Sequence, residues 1–258
     1  MKLFVQASLD YRFSGPTDVL LQLEAAEIPE QRLIDPLFNL TGAIHLARIP
    51  AQDSIGERIW VRSEQQLTVE YRATVEIDRI LADCALLPRT PLHQLPGETV
   101  QYLMPSRYCP SDQFQSFVDA EFGGIEGGAR VAGMRDWIHD SLSYEPGVSS
   151  SGTTALETFV RRAGVCRDFA HMLITLTRAS GIPARMASVY ALGVEPQDFH
   201  AVAEVFLDGA WHLVDATGMA KPAEMAKIGV GRDAADIPFL TSYGRAQLIA
   251  QTVSVAAL

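Results

Sequence analysis

The fold is decided by the stretch Gly164-Val165-Cys166-Arg167-Asp168-Phe169-Ala170-His171. Just before it, Thr154 and Glu157 have the spacing of a capping box, which predicts a helix that runs to about Ala163 and ends at a left-handed Gly164. After the cysteine, apolar residues recur at helical spacing and predict a second, buried helix that begins at or next to Cys166. These apolar residues are Phe169, Met172, Leu173, Leu176 and Ile182.

A cysteine at the start of a helix is in a special electrostatic position. Its side chain faces backbone N–H groups that lack helical partners, and it lies at the positive end of the helix dipole. Both effects favour the thiolate, which is the nucleophilic form of cysteine. The pattern therefore predicts that Cys166 is placed for chemistry.

A histidine and an aspartate follow on a predicted β-hairpin. His200 begins an alternating strand, Asp208-Gly209 is a two-residue turn signal, and Asp215 ends the partner strand. His200 lies eight residues before Asp208, and Asp215 lies six residues after Gly209, so their distances from the turn differ by about two residues. Because strand side chains alternate with period two, both side chains should lie on one face of the hairpin. The spacing permits a triad of Cys166 as nucleophile, His200 as base and Asp215 as the residue that orients the imidazole.

Other polar residues compete for these roles. His171 lies about 500° around the helix from Cys166, which points it roughly 140° away from the thiol, so we interpret it as structural. His212 has the wrong strand parity relative to Asp215. Asp198 has the parity of His200 but lies on the same strand near a loop, so it remains the weaker alternative to Asp215 as the orienting residue.

Four segments together resemble the transglutaminase-like superfamily, and most closely its bacterial cysteine proteases. They are Gly164–His171, Gly181–Arg185, His200-Ala201 with Glu204-Val205, and Trp211 with Asp215-Ala216-Thr217. The resemblance is strong over about 153–217 and weaker over the rest of the chain. It implies the same three functional residues, Cys166, His200 and Asp215. The chain departs from the family at two positions: it has Val202 where many members carry Trp, and Ala216 where many carry Pro. Neither is a triad position.

The chain outside this region sets the expected fold class, which is α+β. Strand patterns dominate residues 1–110 and predict a β-sandwich or barrel-like domain that ends in a proline-rich connector. The strand segments are Leu3–Phe13, Asp18–Ala25, Gly42–Ile49, Ile59–Val61 and Leu67–Ile77. Residues 111–258 predict the catalytic domain, in which the cysteine helix packs on an antiparallel sheet as in papain-like enzymes, and Gln251–Val255 is its closing strand.

Bulk properties narrow the choice of partners and compartment. The chain has 258 residues, a net charge of −10 and a pI of about 5.0, without a basic cluster, so nucleic acid and membrane surfaces are poor partners. The N-terminus lacks a signal-peptide pattern, and no segment is apolar enough to span a membrane. Three cysteines are too few for a disulfide framework, which favours the cytoplasm.

These observations predict thiol-dependent acyl chemistry on a peptide or protein substrate, through a thioester, without a metal or organic cofactor. We expect a cysteine peptidase or amidase if water resolves the thioester, and a transglutaminase if an amine does. Tyr144 and the loop Ser149-Ser150-Ser151 are the candidates for a second donor to the oxyanion, and Tyr144 is the candidate substrate-binding residue. A non-catalytic peptide-binding module is the alternative from a different functional class.

Overall fold

Antiparallel sheets and four helices build the chain in a computed structural model, which describes residues 1–258. The first sheet contains β1 (Lys2–Phe13), β2 (Thr17–Leu21), β3 (Gln31–Pro50) and β4 (Glu57–Ile77). The helices and short strands of the middle are α1 (Gln115–Phe122), α2 (Gly127–Ser141), β5 (Ser143–Tyr144), α3 (Ala155–Arg161), β6 (Ala163–Gly164) and α4 (Cys166–Ala179). The remaining strands are β7 (Ala184–Ala191), β8 (His200–Leu207), β9 (Ala210–Val214), β10 (Met225–Gly231), β11 (Leu240–Ser242) and β12 (Ala246–Ala257). The predicted α+β class is confirmed.

The β-rich half is a single curled antiparallel sheet whose spine is β4. On one side of β4 lies β3, and on the other β1 and β2 follow one another along its length. Strands β3 and β4 are much longer than the segments that the sequence predicts for them. Alternation in the sequence is interrupted near Gly42, where the backbone has a φ of +86° and a Cβ would lie 2.0 Å from the carbonyl oxygen of Gln66. The strand bends at this glycine but continues.

The C-terminal strand joins this first sheet. Strand β12 pairs with β1 from Leu3 opposite Ala257 to Phe13 opposite Ala246. The prediction that Gln251–Val255 closes the second sheet is therefore corrected, because alternation identifies a strand but not its partner. The division into residues 1–110 and 111–258 stays a prediction, and the pairing of β12 with β1 crosses it.

The second sheet carries the cysteine helix. Its strand order is β10-β7-β8-β9, all antiparallel, and α4 packs across β7 and β8. Apolar side chains of α4, such as Met172 and Leu173, are fully buried together with Met186 of β7 and Ala203 of β8. This is the helix-on-sheet arrangement that the sequence predicts. None of the helices has both the length and the apolar run needed to cross a bilayer. The predicted cytoplasmic location stays a prediction.

A buried cluster of charges links the two sheets. The carboxylate of Glu204 on β8 accepts hydrogen bonds from Arg185 Nε at 2.7 Å and from Lys227 Nζ at 2.5 Å. Arg185 and Lys227 also contact acids of the first half, Asp53 at 2.7 Å and Glu30 at 2.6 Å. Burial would raise the pKa of Glu204, but Lys227 and Arg185 lower it to about 2. The carboxylate therefore stays ionised inside the protein.

Glu204→Gln should strongly destabilise the fold, because it leaves two buried cations without their shared counter-charge. We expect a loss of about 3–5 kcal/mol in the free energy of unfolding, measured by urea denaturation at neutral pH. The exposed pair of Asp18 and Arg62 provides the control, since Asp18→Asn should change stability by no more than about 1 kcal/mol. Equal losses in the two variants would contradict the structural importance of Glu204.

The carboxylate of Glu204 should also make the free energy of unfolding depend on pH in the acidic range. Its folded pKa of about 2 lies below the ordinary value of 4.5. The contribution of ionised Glu204 to the free energy of unfolding is therefore complete above pH 4.5. It is lost as the pH falls from 4.5 through about 2. Over that range the difference in stability between the wild type and Glu204→Gln should shrink.

Candidate active site

Cys166 is the first residue of α4 and is partly exposed. Val165 before it has an extended backbone, and its carbonyl accepts the first helical hydrogen bonds, from Asp168 at 2.8 Å and Phe169 at 3.1 Å. The N–H groups of Cys166 and Arg167 precede those bonds and have no helical carbonyl to bind. The thiol therefore lies beside unpaired donors at the positive end of the dipole.

The start of α4 is fixed by Asp168, a fully buried residue whose carboxylate accepts the N–H of Val165 at 2.8 Å. Gly164 is required for this contact, since a Cβ there would lie 2.6 Å from Cβ of Asp168. The prediction that Gly164 is a left-handed helix cap is wrong. Helix α3 ends at Arg161, Arg162 takes the left-handed conformation with a φ of 61°, and Gly164 belongs to β6.

The hairpin of β8 and β9 brings His200 to Asp215. Ala203 pairs with Val214, and continuing this register by one residue sets Val202 opposite Asp215. His200 is two residues further along the strand, which is the offset expected from the sequence. Nε2 of His200 lies 3.0 Å from Oδ2 of Asp215, and both side chains are buried.

The carboxylate of Asp215 is surrounded by donors. Its Oδ1 accepts hydrogen bonds from the N–H and the hydroxyl of Thr217, at 2.9 and 2.7 Å, and its Oδ2 accepts the N–H of Ala220 at 3.1 Å. Burial would raise the pKa of Asp215, but His200 and Thr217 lower it. An ionised carboxylate only accepts hydrogen bonds, so Nε2 of His200 carries the proton.

The other imidazole nitrogen is available to the thiol. Nδ1 of His200 is buried without a hydrogen-bond partner, while the ring and Cys166 line one cavity. Burial would lower the pKa of His200, but the carboxylate of Asp215 and the nearby Cys166 raise it to about 9. Nδ1 is therefore the ring nitrogen that is not bound to Asp215 and is left for the thiol.

The competing residues are engaged elsewhere. His171 is buried, accepts the N–H of Ala234 at 3.2 Å through Nε2 and stacks on Tyr108 at 5.0 Å. Burial lowers its pKa to about 3, so it remains a neutral acceptor. Asp198 accepts the N–H of Phe199 at 2.7 Å and does not bind the imidazole, and His212 lies 3.2 Å from the carbonyl of Leu207.

Tyr144 lies next to the thiol because a short parallel pairing of β5 with β6 aligns it with Gly164. Burial raises the pKa of Tyr144 to about 12, and the charge of Cys166 adds to the shift, so the phenol stays protonated. The serine loop is tied down instead: the carbonyl of Ser150 accepts Arg167 Nη2 at 2.7 Å and that of Ser151 accepts the hydroxyl of Tyr108 at 2.7 Å. Because these bonds occupy carbonyls and not donors, the choice between Tyr144 and the serine loop as the second donor stays a prediction.

A cavity of about 250 Å³ opens beside the sulfur. Its lining consists of Cys166, Arg167, Met186, Ser188, Asp198, Phe199, His200, Ala201, Ala234, Ile237, Pro238 and Phe239. Sequence reasoning missed the wall from Ala234 to Phe239, because it holds no ionisable pattern and is far along the chain. A larger cavity of about 470 Å³ reaches the other side of Asp215 and contains neither Cys166 nor His200. No cluster of three or more His, Cys, Asp or Glu residues is arranged to hold a metal ion.

Several known proteins are similar to this chain. The sequence model described as the transglutaminase-like superfamily matches residues 124–216, a range that includes Cys166, His200 and Asp215. A solved protein of Cytophaga hutchinsonii, named a putative cysteine protease, is 32% identical, with a TM-score of 0.93 and coverage of 100% of this chain and 91% of that chain. An uncharacterised protein of Mycobacterium leprae (strain TN) is 26% identical in an alignment of 184 positions that covers 67% of this chain and 66% of that protein, just under two thirds of its length. The chain belongs to the transglutaminase-like superfamily, as its motifs indicate.

Proposed function

We propose that this protein is a cysteine peptidase or amidase that uses Cys166, His200 and Asp215 as its catalytic triad. The observation that carries the proposal is the buried hydrogen bond of 3.0 Å between His200 and Asp215, with Cys166 at a helix start in the lining of the same cavity as the imidazole. Membership of the superfamily and the name of the Cytophaga hutchinsonii relative support the same chemistry. A peptide or protein is the proposed substrate.

Because the pKa of His200 is about 9, the thiol proton of Cys166 rests on Nδ1 of His200 near neutral pH in this proposal, and the reaction begins from the thiolate–imidazolium pair. The thiolate attacks the amide carbonyl carbon, a C–S bond forms, and the carbonyl electrons move onto oxygen. Collapse of this oxyanion breaks the C–N bond, and the imidazolium of His200 gives its proton to the leaving nitrogen. The products of this half are a free amine and a thioester on Cys166.

Hydrolysis of the thioester completes the cycle. His200 removes a proton from water, the hydroxide attacks the carbonyl carbon, and the C–S bond breaks to release a carboxylic acid and regenerate the thiol. We propose water as the acceptor because Cys166 is partly exposed and because the solved relative is named as a protease. An amine acceptor would make the protein a transglutaminase, and this alternative is an arm of the test.

The developing oxyanion needs donors that are already in place. The backbone N–H of Cys166 is one, since it has no helical partner. We propose the phenol of Tyr144 as the second, because it remains protonated and lies beside Cys166. In this assignment Tyr144 contacts the substrate carbonyl and is therefore also the proposed substrate-binding residue.

Cys166→Ala should abolish turnover of peptide and amide substrates. We expect a fall in kcat of at least about 10⁴-fold, measured by mass spectrometry of the products. Cys84→Ser is the matched control, since Cys84 does not line the cavity of Cys166, and it should keep activity. Added excess primary amine should leave the carboxylic acid as the main product. A new amide as the main product would favour the transglutaminase, and no turnover together with an unreactive Cys166 would favour a non-catalytic module.

Asp215→Ala should shift the alkaline limb of the pH–rate profile. The imidazole of His200 stays doubly protonated up to its pKa of about 9, and the mechanism needs this imidazolium to protonate the leaving nitrogen. The kcat/KM of the wild type should therefore fall above pH 9. Because the bond to the carboxylate raises this pKa, its removal should move the limb to lower pH by more than about one unit. Asp198→Asn, at the competing aspartate, should leave the limb in place. If Asp198→Asn shifted the alkaline limb and Asp215→Ala did not, Asp198 and not Asp215 would be the residue that orients His200.

Tyr144→Phe tests the proposed second donor. The ring stays in place while the hydroxyl is removed, so we expect kcat to fall about 10²–10³-fold, as for other lost oxyanion donors. The substrate KM should change little, because the hydrogen bond forms mainly in the transition state. Tyr243→Phe, at an exposed tyrosine away from the cavity, should have no effect. An unchanged kcat in Tyr144→Phe would rule out the assignment.

A further inference from the structure

We propose that the cavity beside Cys166 binds an apolar side chain of the acyl donor, so the preferred substrates present a residue such as Leu, Met or Phe to the thiol rather than Gln. This inference rests on the function proposed above and specifies its substrate class. It follows from three features of the cavity: an apolar wall, anchoring of that wall by buried contacts, and charged groups that lie on the solvent side of the lining.

The wall is built from large apolar side chains around a floor of small ones. Phe199 stacks on Phe239 with ring centroids 4.8 Å apart and an interplanar angle of 14°. The floor contains Ser188 and Ala201, which are paired across β7 and β8. Small side chains below stacked rings leave a volume of about 250 Å³ directly beside Cys166. Such a space favours an apolar guest, because its burial removes apolar surface from water on both sides.

The wall is held by buried contacts, so the cavity exists before substrate arrives. Arg178, at the end of α4, donates to the carbonyl of Arg232 at 2.5 Å. Asp233 accepts the N–H of Tyr108 at 2.9 Å, and neutral His171 accepts the N–H of Ala234 at 3.2 Å. The segment leading to Phe239 therefore starts from three fixed points. A preformed apolar cavity binds without an ordering cost for its own wall.

The two charged residues of the lining lie towards its solvent side, because Asp198 is exposed and Arg167 is only half-buried. Arg167 donates to the carbonyl of Ser150 at 2.7 Å, and Asp198 accepts from the N–H of Phe199 and the amide of Gln251, each at 2.7 Å. The only other polar side chain in the lining, apart from Cys166 and His200, is the hydroxyl of Ser188.

A charged guest deeper in the cavity would be surrounded by apolar side chains, which is costly for a charge. A glutamine amide has two donors and two acceptor lone pairs, and the floor of the cavity offers them only the hydroxyl of Ser188. Sites that select an amide side chain do so by hydrogen bonding it fully. The cavity is therefore suited to aliphatic or aromatic side chains and not to glutamine.

The test uses irreversible probes that carry only the acyl side of a substrate. Four acetyl-Ala-Ala-Xaa acyloxymethyl ketones with Xaa as Leu, Ala, Gln or Glu would be reacted with the full chain, and Cys166 labelling rates measured by mass spectrometry. We expect Leu to react at least about tenfold faster than Ala, Gln or Glu. Equal rates, or a fastest reaction with Gln or Glu, would overturn the inference.

A substitution in the wall should change the selectivity in a defined direction. Phe239→Arg adds a cation to the rim, so the ratio of the Leu rate to the Glu rate should fall at least about tenfold. Phe239→Leu is the matched control and should keep the preference for Leu. The probe series on the unaltered chain decides the question even if Phe239→Arg does not fold.

Iodoacetamide separates failure of this inference from failure of the proposed function. The reagent is too small to need the cavity and reports only on the thiol. Normal iodoacetamide labelling of Cys166, combined with unselective or absent labelling by the peptidyl probes, would overturn the apolar-cavity inference alone. An unreactive Cys166 towards every reagent would remove the proposed function and this inference with it.

Discussion

The hydrogen bond between His200 and Asp215 is the interaction on which the candidate site depends. It requires the two-residue turn of the β8–β9 hairpin, since a register shift of one residue would turn one of the two side chains to the other face. It also requires the donors of Thr217 and Ala220, which keep the carboxylate ionised and acceptor-only. Together these contacts fix the proton on Nε2 and leave Nδ1 for sulfur.

Two buried histidines of this chain show how differently one side chain behaves in neighbouring environments. His171 meets a backbone N–H and an aromatic ring, and burial is the largest of the effects that lower its pKa to about 3, although Asp233 opposes the shift. His200 meets a carboxylate and a thiol, and its pKa rises to about 9 although it is also buried. Burial disfavours charge in both, and the direct hydrogen bond to a carboxylate reverses the outcome at His200. Neutral His171 supports the cavity wall, whereas charged His200 is suited to proton transfer.

The parts of the structure that the sequence predicts correctly are those set by local rules. The helix start at Cys166 follows from apolar spacing, and the approach of His200 to Asp215 follows from turn length and strand parity. Sequence reasoning failed where a partner is distant. Nothing local to Val253 and Val255 shows that they pair beside β1, and nothing near Gly164 shows that the carboxylate of Asp168 excludes a side chain there. The wall from Ala234 to Phe239 was missed for the same reason.

The charge cluster around Glu204 has a consequence for the β-rich half. Glu204 lies on the same strand as His200, and the cations that neutralise it are shared with Asp53 and Glu30 of the β-rich half. Tyr190 of the second sheet also donates to the carbonyl of Leu23 at 2.7 Å and packs in the apolar core of the first. Excising residues 1–110 would thus expose the charges of Arg185 and Lys227, and the aromatic ring of Tyr190, to water. The strand that carries His200 is held by contacts with both halves, so the β-rich half contributes to the stability of the hairpin that carries the candidate site.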